Sequence, residues 1–173
     1  MKKILSLLIC ITLIMSNYVM VCAASNSGAV NSTVNWELDN GTLRITGYGE
    51  MANDDNFYGW KKLSGQIVNI EVSEGITLIG RMAFWDCDRL KNVSLPSTLK
   101  IIEDNAFTYC TSLATINLPN NLVCIEREAF DSCYDLENIT VPDSLVYVGY
   151  QVFDDTAWFK NQPDGQIYVG KVL

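Results

Sequence analysis

Histidine is absent from all 173 residues. That removes the commonest general base, the Ser-His and Cys-His nucleophile pairs, and the commonest zinc ligand. Positive charge is scarce: 12 basic residues stand against 20 acidic ones, for a net charge of −8. A surface of that sign repels phosphate backbones and argues against nucleic acid as a partner. The cysteines never fall as Cys-x-x-Cys, which argues against a zinc site. The acids at Asp54-Asp55, Asp86, Asp88 and Asp154-Asp155 lack the spacing of a calcium loop and read as solvated loop residues. No cofactor is implied by any of these.

Long apolar runs are also missing, with one exception at the start. "MKKILSLLICITLIMSNYVMVCAAS" has two lysines, an apolar stretch from Ile4 to Met15, and small residues at Ala23, Ala24 and Ser25. This reads as a secretory signal peptide over residues 1–24. The stretch is short for a bilayer span, so no membrane insertion is expected after cleavage. A lipid attachment at Cys22 is disfavoured by the bulky valine before it. The expected location is outside the cell or on its surface.

What the chain has in abundance is repetition. "AFWDC", "AFTYC" and "AFDSC" start at Ala83, Ala106 and Ala129, an interval of 23 residues. Four units follow that interval over residues 67–159. Five columns keep their apolar character: Phe84, Phe107, Phe130 and Phe153; Ile79, Ile102, Ile125 and Val148; Ile76, Leu99, Leu122 and Leu145; Ile70, Val93, Ile116 and Ile139; Val72, Leu95, Leu118 and Val141. A unit this short cannot bury its own apolar side, but stacked units share a continuous interior. Apolar Val93 and Leu95 alternate with polar Asn92 and Ser94, the period of a half-buried strand. Prolines 96, 119 and 142 end each strand by withholding a donor. One parallel strand per coil sets a spacing of about 4.8 Å and a stack on the order of 20 Å long.

The pattern Leu-x-x-Val-x-Leu-Pro-x-x-Leu-x-x-Ile-x-x-x-Ala-Phe-x-x-Cys resembles the BspA-type leucine-rich repeat of secreted and surface proteins. Segments 34–51 and 156–173 resemble sequences that flank such repeats. The resemblance implies a repeat solenoid: a right-handed coil of short parallel strands and short helical or 3-10 segments, used for binding rather than catalysis. The partners it implies are extracellular proteins or glycans. The first unit departs from the pattern with Ser73 for proline, and the last with Val152 for Ala and Thr156 for Cys. Atypical end units are expected to cap the stack.

Residues 25–66 read as a polar linker (Ser25 to Ser32) followed by a β-hairpin cap. "WELDNGTLRIT" places Asn40-Gly41 in a tight type I′ turn, with Trp36, Leu38, Leu43 and Ile45 on its apolar face. Residues 160–173 read as a turn at "QPDGQ" and a strand at "IYVGKVL". The apolar finish points to a truncated chain, with a natural short form as the alternative.

Three features are candidate sites. Cys87, Cys110 and Cys133 form a column; three thiols cannot all pair, so buried small hydrophobes are the simpler reading. Cys124 lies in a different column. The polar strand positions form two rows: Asn69, Asn92, Thr115 and Asn138, then Glu71, Ser94, Asn117 and Thr140. Such a grid can hydrogen-bond sugars or a peptide backbone, and it equally describes a solvated sheet. Leu78, Ile101, Cys124 and Tyr147 alternate with the buried Ile column. They form either an outward apolar stripe for a partner or strand positions that pack under the flanks. The oligomeric state is left open, as is a second role for the whole chain, that of a spacer carrying a further domain.

Overall fold

The computed structural model describes residues 26–51 and 58–162. The signal peptide read at 1–24, the Asp54-Asp55 pair and the strand read at 167–173 lie outside the described residues.

The N-terminal flank opens with β1 (Ser27–Ala29), β2 (Val34–Asp39) and β3 (Thr42–Gly47). β2 and β3 form an antiparallel hairpin with Trp36 opposite Ile45 and Leu38 opposite Leu43. Its turn is made by Asn40 at φ 47° and Gly41 at φ 78°, both in the left-handed region that a type I′ turn requires. Residues 27–29, read from the sequence as linker, form β1 instead and pair antiparallel with β2. All three are exposed. Their pairing is made by backbone alone, so they carry no apolar alternation. At Gly47 the chain turns sharply at φ 127°, and a Cβ there would lie 2.0 Å from the Thr33 carbonyl oxygen. Only glycine fits that approach.

After Gly47 the flank joins the stack. β3 pairs in parallel with β5 (Asn69–Val72), and β4 (Gly49–Met51) pairs in parallel with β6 (Ile76–Ile79). The flank is thus a coil in its own right, against which the first repeat seats. The later coils contribute β7 (Asn92–Ser94), β8 (Ile101–Ile102), β9 (Thr115–Asn117), β10 (Cys124–Ile125), β11 (Asn138–Thr140) and β12 (Tyr147–Val148). β5, β7, β9 and β11 line one side, which we call the outer face. β4, β6, β8, β10 and β12 form a second, continuous parallel sheet.

The Ala-Phe segments make the third side. They are turns rather than helices, because a left-handed residue stands at each end of every one. Met82, Asn105, Glu128 and Gln151 occupy one such position, and Asp86, Tyr109, Ser132 and Asp155 the other. Between them, alternate amides reach forward to the next coil. Met82, Phe84 and Asp86 donate to the carbonyls of Asp104, Ala106 and Thr108 at 3.0, 2.8 and 2.9 Å. An amide spent between coils cannot close a helical turn.

The interior is lined up in files. Phe84, Phe107, Phe130 and Phe153 stack with ring centroids 5.1, 5.1 and 5.6 Å apart. Each ring removes all or nearly all of its surface from water, worth about 1.5–3 kcal/mol, and each ring pair adds about 0.5–1.5 kcal/mol. Tryptophans close the file at both ends. Trp60 lies 6.0 Å from Phe84 and donates its indole N–H to the Ala83 carbonyl at 2.8 Å. Trp158 meets Phe153 edge-on at 5.2 Å.

The departures at the end units have local reasons. Ser73, where later units carry proline, donates its N–H to the Ile45 carbonyl at 3.0 Å, which extends the pairing between β5 and β3. Thr156 stands in the cysteine column and is fully buried. Its hydroxyl donates to the Phe153 carbonyl at 2.7 Å and accepts from the Phe159 amide at 3.0 Å. It therefore caps α1 (Ala157–Lys160), the helix that ends the last coil.

Candidate functional site

The outer face carries both polar rows in register. Asn69 lies opposite Asn92 and Glu71 opposite Ser94; Thr115 lies opposite Asn138 and Asn117 opposite Thr140. Period two places the apolar partners Ile70, Val93, Ile116 and Ile139 inward and these side chains toward water. Neighbouring rungs bond to each other. Asn69 donates to Thr42 at 3.2 Å and accepts from Asn92 at 2.8 Å. Thr140 donates to the Asn117 amide oxygen at 3.2 Å. Glu71 is engaged by Arg44 at 3.0 Å, with both side chains about half exposed. That leaves Asn92, Ser94, Thr115, Asn117 and Asn138 with hydrogen-bonding capacity facing solvent.

The two halves of this grid are separate. The outer face is not one sheet: β9 and β11 form a two-stranded piece of their own, and β7 ends the sheet that begins at β1. A cleft of about 500 Å3 lies at the join, lined by Lys91, Asn92, Val93, Ser112, Ala114, Thr115 and Asn117.

The second column is also in register: Leu78, Ile101, Cys124 and Tyr147 lie side by side across β6, β8, β10 and β12. It does not form the uniform outward stripe the sequence allows. Leu78 is only 7% exposed, since Glu50 of the flank coil lies opposite it in the sheet. Ile101 and Cys124 are half-buried, and Tyr147 is 50% exposed. The stripe therefore emerges toward the last coil. The Cys124 thiol donates to Glu126 Oε1 at 3.1 Å. Partial burial, the bond to Glu126 and that carboxylate's charge push the thiol up to about 12, which disfavours the reactive thiolate at neutral pH. A hollow of about 400 Å3 beside this stripe is lined by Leu78, Arg81, Ile101, Glu103, Asp104 and Glu126.

Val146 at 68% and Tyr150 at 70% flank Tyr147 and extend its exposed apolar patch. Trp85 meets Tyr109 edge-on at 6.2 Å, and the Lys61 ammonium lies 4.8 Å over the Trp85 ring. Apart from Val146, which has Val123 one coil earlier, none of these repeats at 23 residues, so column-based reading of the sequence passes over them. Among the described residues, no cluster of Cys, Asp or Glu has the arrangement to hold a metal ion, and no helix is long and apolar enough to cross a membrane.

Two solved structures show the same fold. A leucine-rich repeat protein of T. pallidum is 24% identical with a TM-score of 0.57, over 76% of this chain and 69% of its own. A leucine-rich repeat protein of Eubacterium ventriosum is 25% identical with a TM-score of 0.56, over 72% of this chain and 40% of its own. The chain thus spans less than half of the second relative. No curated protein sequence matches it. Residues 53–161 match the model described as the BspA type leucine rich repeat region, six copies, and the chain belongs to that family.

Proposed function

We propose that this chain is a secreted or surface-displayed recognition module that binds an extracellular protein or glycan without catalysis. The observation that carries the reading is the outer face. Short parallel strands hold two rows of polar side chains in register, in two pieces, on a stacked, buried interior. A rigid grid of this kind loses little freedom when it meets a partner, which is where preordered surfaces gain affinity. A chain with no histidine offers little for acid–base work near neutrality.

The test is binding by the chain without residues 1–24 to immobilised matrix proteins, mucin and a glycan array. Saturable capture is expected, weakened by Asn92→Ala combined with Thr115→Ala. Capture of none of these, or capture untouched by changes on the outer face, overturns the reading. The secreted location is tested by N-terminal sequencing of the exported chain, which is expected to begin after Ala23 or Ala24. A spacer role draws on the second relative being far longer than the matched region. It is favoured if the chain binds nothing while supporting the display of an attached domain.

A further inference from the structure

Among the described residues, the cleft on the outer face marks the one place where the ladder of that face stops. At the matching points on either side, two successive amides donate to a single carbonyl of the coil before. Lys91 and Asn92 donate to Val68 at 2.8 and 3.3 Å, and Glu137 and Asn138 donate to Ala114 at 3.1 and 3.3 Å. The amides of Ala114 and Thr115 make no such bond to Lys91, and no backbone hydrogen bond joins β7 to β9. Burial shows the same opening from inside. Ile70 and Ile116 are each 1% exposed, while Val93 between them is half-buried. Likewise Leu95 is half-buried between Val72 at 6% and Leu118 at 3%. Val93 and Leu95 belong to the middle of the stack, so an open end does not account for their exposure.

We infer that this slot seats one ring of an acidic saccharide. The inference rests on the recognition reading above and names its ligand class. The floor is apolar at Val93, and the walls offer unspent amides at Ala114 and Thr115 together with the side chains of Asn92, Thr115 and Asn117. A sugar ring has the matching anatomy: a face of C–H groups and a rim of hydroxyls that both donate and accept. The volume, about 500 Å3, lies within the roughly 300–1,000 Å3 of ligand clefts. An inserted peptide strand is a poorer fit. It needs about 4.8 Å on each side, or roughly 10 Å between its neighbours, whereas β7 and β9 have Cα atoms within 8 Å of each other; the ring accordingly lies over the gap, on its solvent side, and not between the strands. Charge selects among sugars. In a chain with 20 acidic residues, the slot is lined by Lys91 and by no carboxylate. A ring bearing a carboxylate meets one ammonium and no like charge.

The experiment titrates a hyaluronan hexasaccharide, which carries glucuronate, into the 15N-labelled chain lacking residues 1–24. A neutral cellohexaose runs in parallel. Saturable shifts at the amides of residues 114–117 are expected with the hexasaccharide, at least fivefold tighter than with cellohexaose. Val93→Phe, which fills the slot, is expected to weaken binding at least tenfold. Lys91→Ala, an exposed change that leaves the core intact, is expected to weaken it at least threefold and to bring the two sugars level. Lys100→Ala, an exposed lysine that does not line the slot, leaves binding unchanged. Equal binding by Val93→Phe and the parent chain overturns the site, and equal binding of the two sugars by the parent chain overturns the acidic assignment. If neither sugar binds while the chain still captures a matrix protein, this inference falls and the recognition reading stands. If nothing is captured, both fall.

Discussion

Cys110 and Cys133 each donate a thiol proton to a phenylalanine carbonyl one coil back, Cys110 to Phe84 at 3.3 Å and Cys133 to Phe107 at 3.1 Å. All three column thiols are fully buried and free. Burial, and then the charges of Asp86 and Asp88, push Cys87 up to about 12, and burial holds Cys110 well above its ordinary value. Because all three side chains are closed off from solvent, iodoacetamide at pH 8 is expected to leave Cys87, Cys110 and Cys133 unmodified in the native chain, the more so where the reactive thiolate is disfavoured, at Cys87 and Cys110. Cys124 reacts only slowly, and all four react once urea unfolds the protein. Mass spectrometry of the labelled peptides reads this directly, and rapid native labelling of Cys110 would contradict it. A second residue-scale effect concerns Glu74. The Ser97 amide and hydroxyl donate to its carboxylate at 2.9 and 3.0 Å, and these bonds lower its pKa below the ordinary 4.5. A lowered carboxylate pKa contributes stability that is present above the unfolded value and lost as pH falls through the folded one. Glu74→Gln is therefore expected to melt lower than the parent chain at pH 7, with the gap closing as pH drops below about 4.5. A gap constant from pH 7 to 3 would rule this linkage out.

The turn element explains both what the sequence discloses and what it hides. Eight non-glycine residues hold the left-handed conformation at the two ends of the Ala-Phe turns. Each costs about 1–2 kcal/mol relative to ordinary backbone, and glycine escapes that cost while losing about 0.5–1 kcal/mol of unfolded-chain freedom. Met82, at φ 54°, is half-buried, and Met82→Gly is expected to be neutral to about 1 kcal/mol stabilising, measured by urea unfolding. A loss of more than 1 kcal/mol would show that its side chain matters more than its backbone. These positions are hidden in the sequence because Met82, Asn105, Glu128 and Gln151 share a backbone state but no chemistry. The inward columns, by contrast, are plain, since Phe107 or Ile102 must be large and apolar in every coil. The outer rows were legible from alternation alone. The gap between β7 and β9 was not, because Thr115-Ile-Asn117 keeps the same pattern as Asn92-Val-Ser94 while the backbone bonds between them are missing. β1 escaped notice for a related reason: a Ser-Gly-Ala strand held by main-chain bonds leaves no mark on side-chain periodicity.

For the whole molecule, stability is shared along one file of rings. Phe107 is sandwiched by Phe84 and Phe130, so Phe107→Ala removes the surface of one ring and both of its contacts. A loss of about 3–5 kcal/mol is expected. Phe153→Ala, at a ring that is 4% exposed near the end of the file, is expected to cost less. Urea titration of the two variants compares them, and the opposite order would mean that the coils do not share one interior. The tryptophans that end the file, Trp60 and Trp158, sit outside the 23-residue register, which is why the file is longer than the repeat predicts.

The forward-reaching amides of the Ala-Phe turns and the backbone bonds of the two strand faces all run from one coil to the next. Tension applied between the chain ends consequently loads these bonds a rung at a time, in the manner of a zip, rather than shearing many together. In an optical trap the protein should yield through a series of low-force steps. Each should release one 23-residue turn, roughly 75 Å of extended chain, where a shear-loaded sandwich gives a single high rupture.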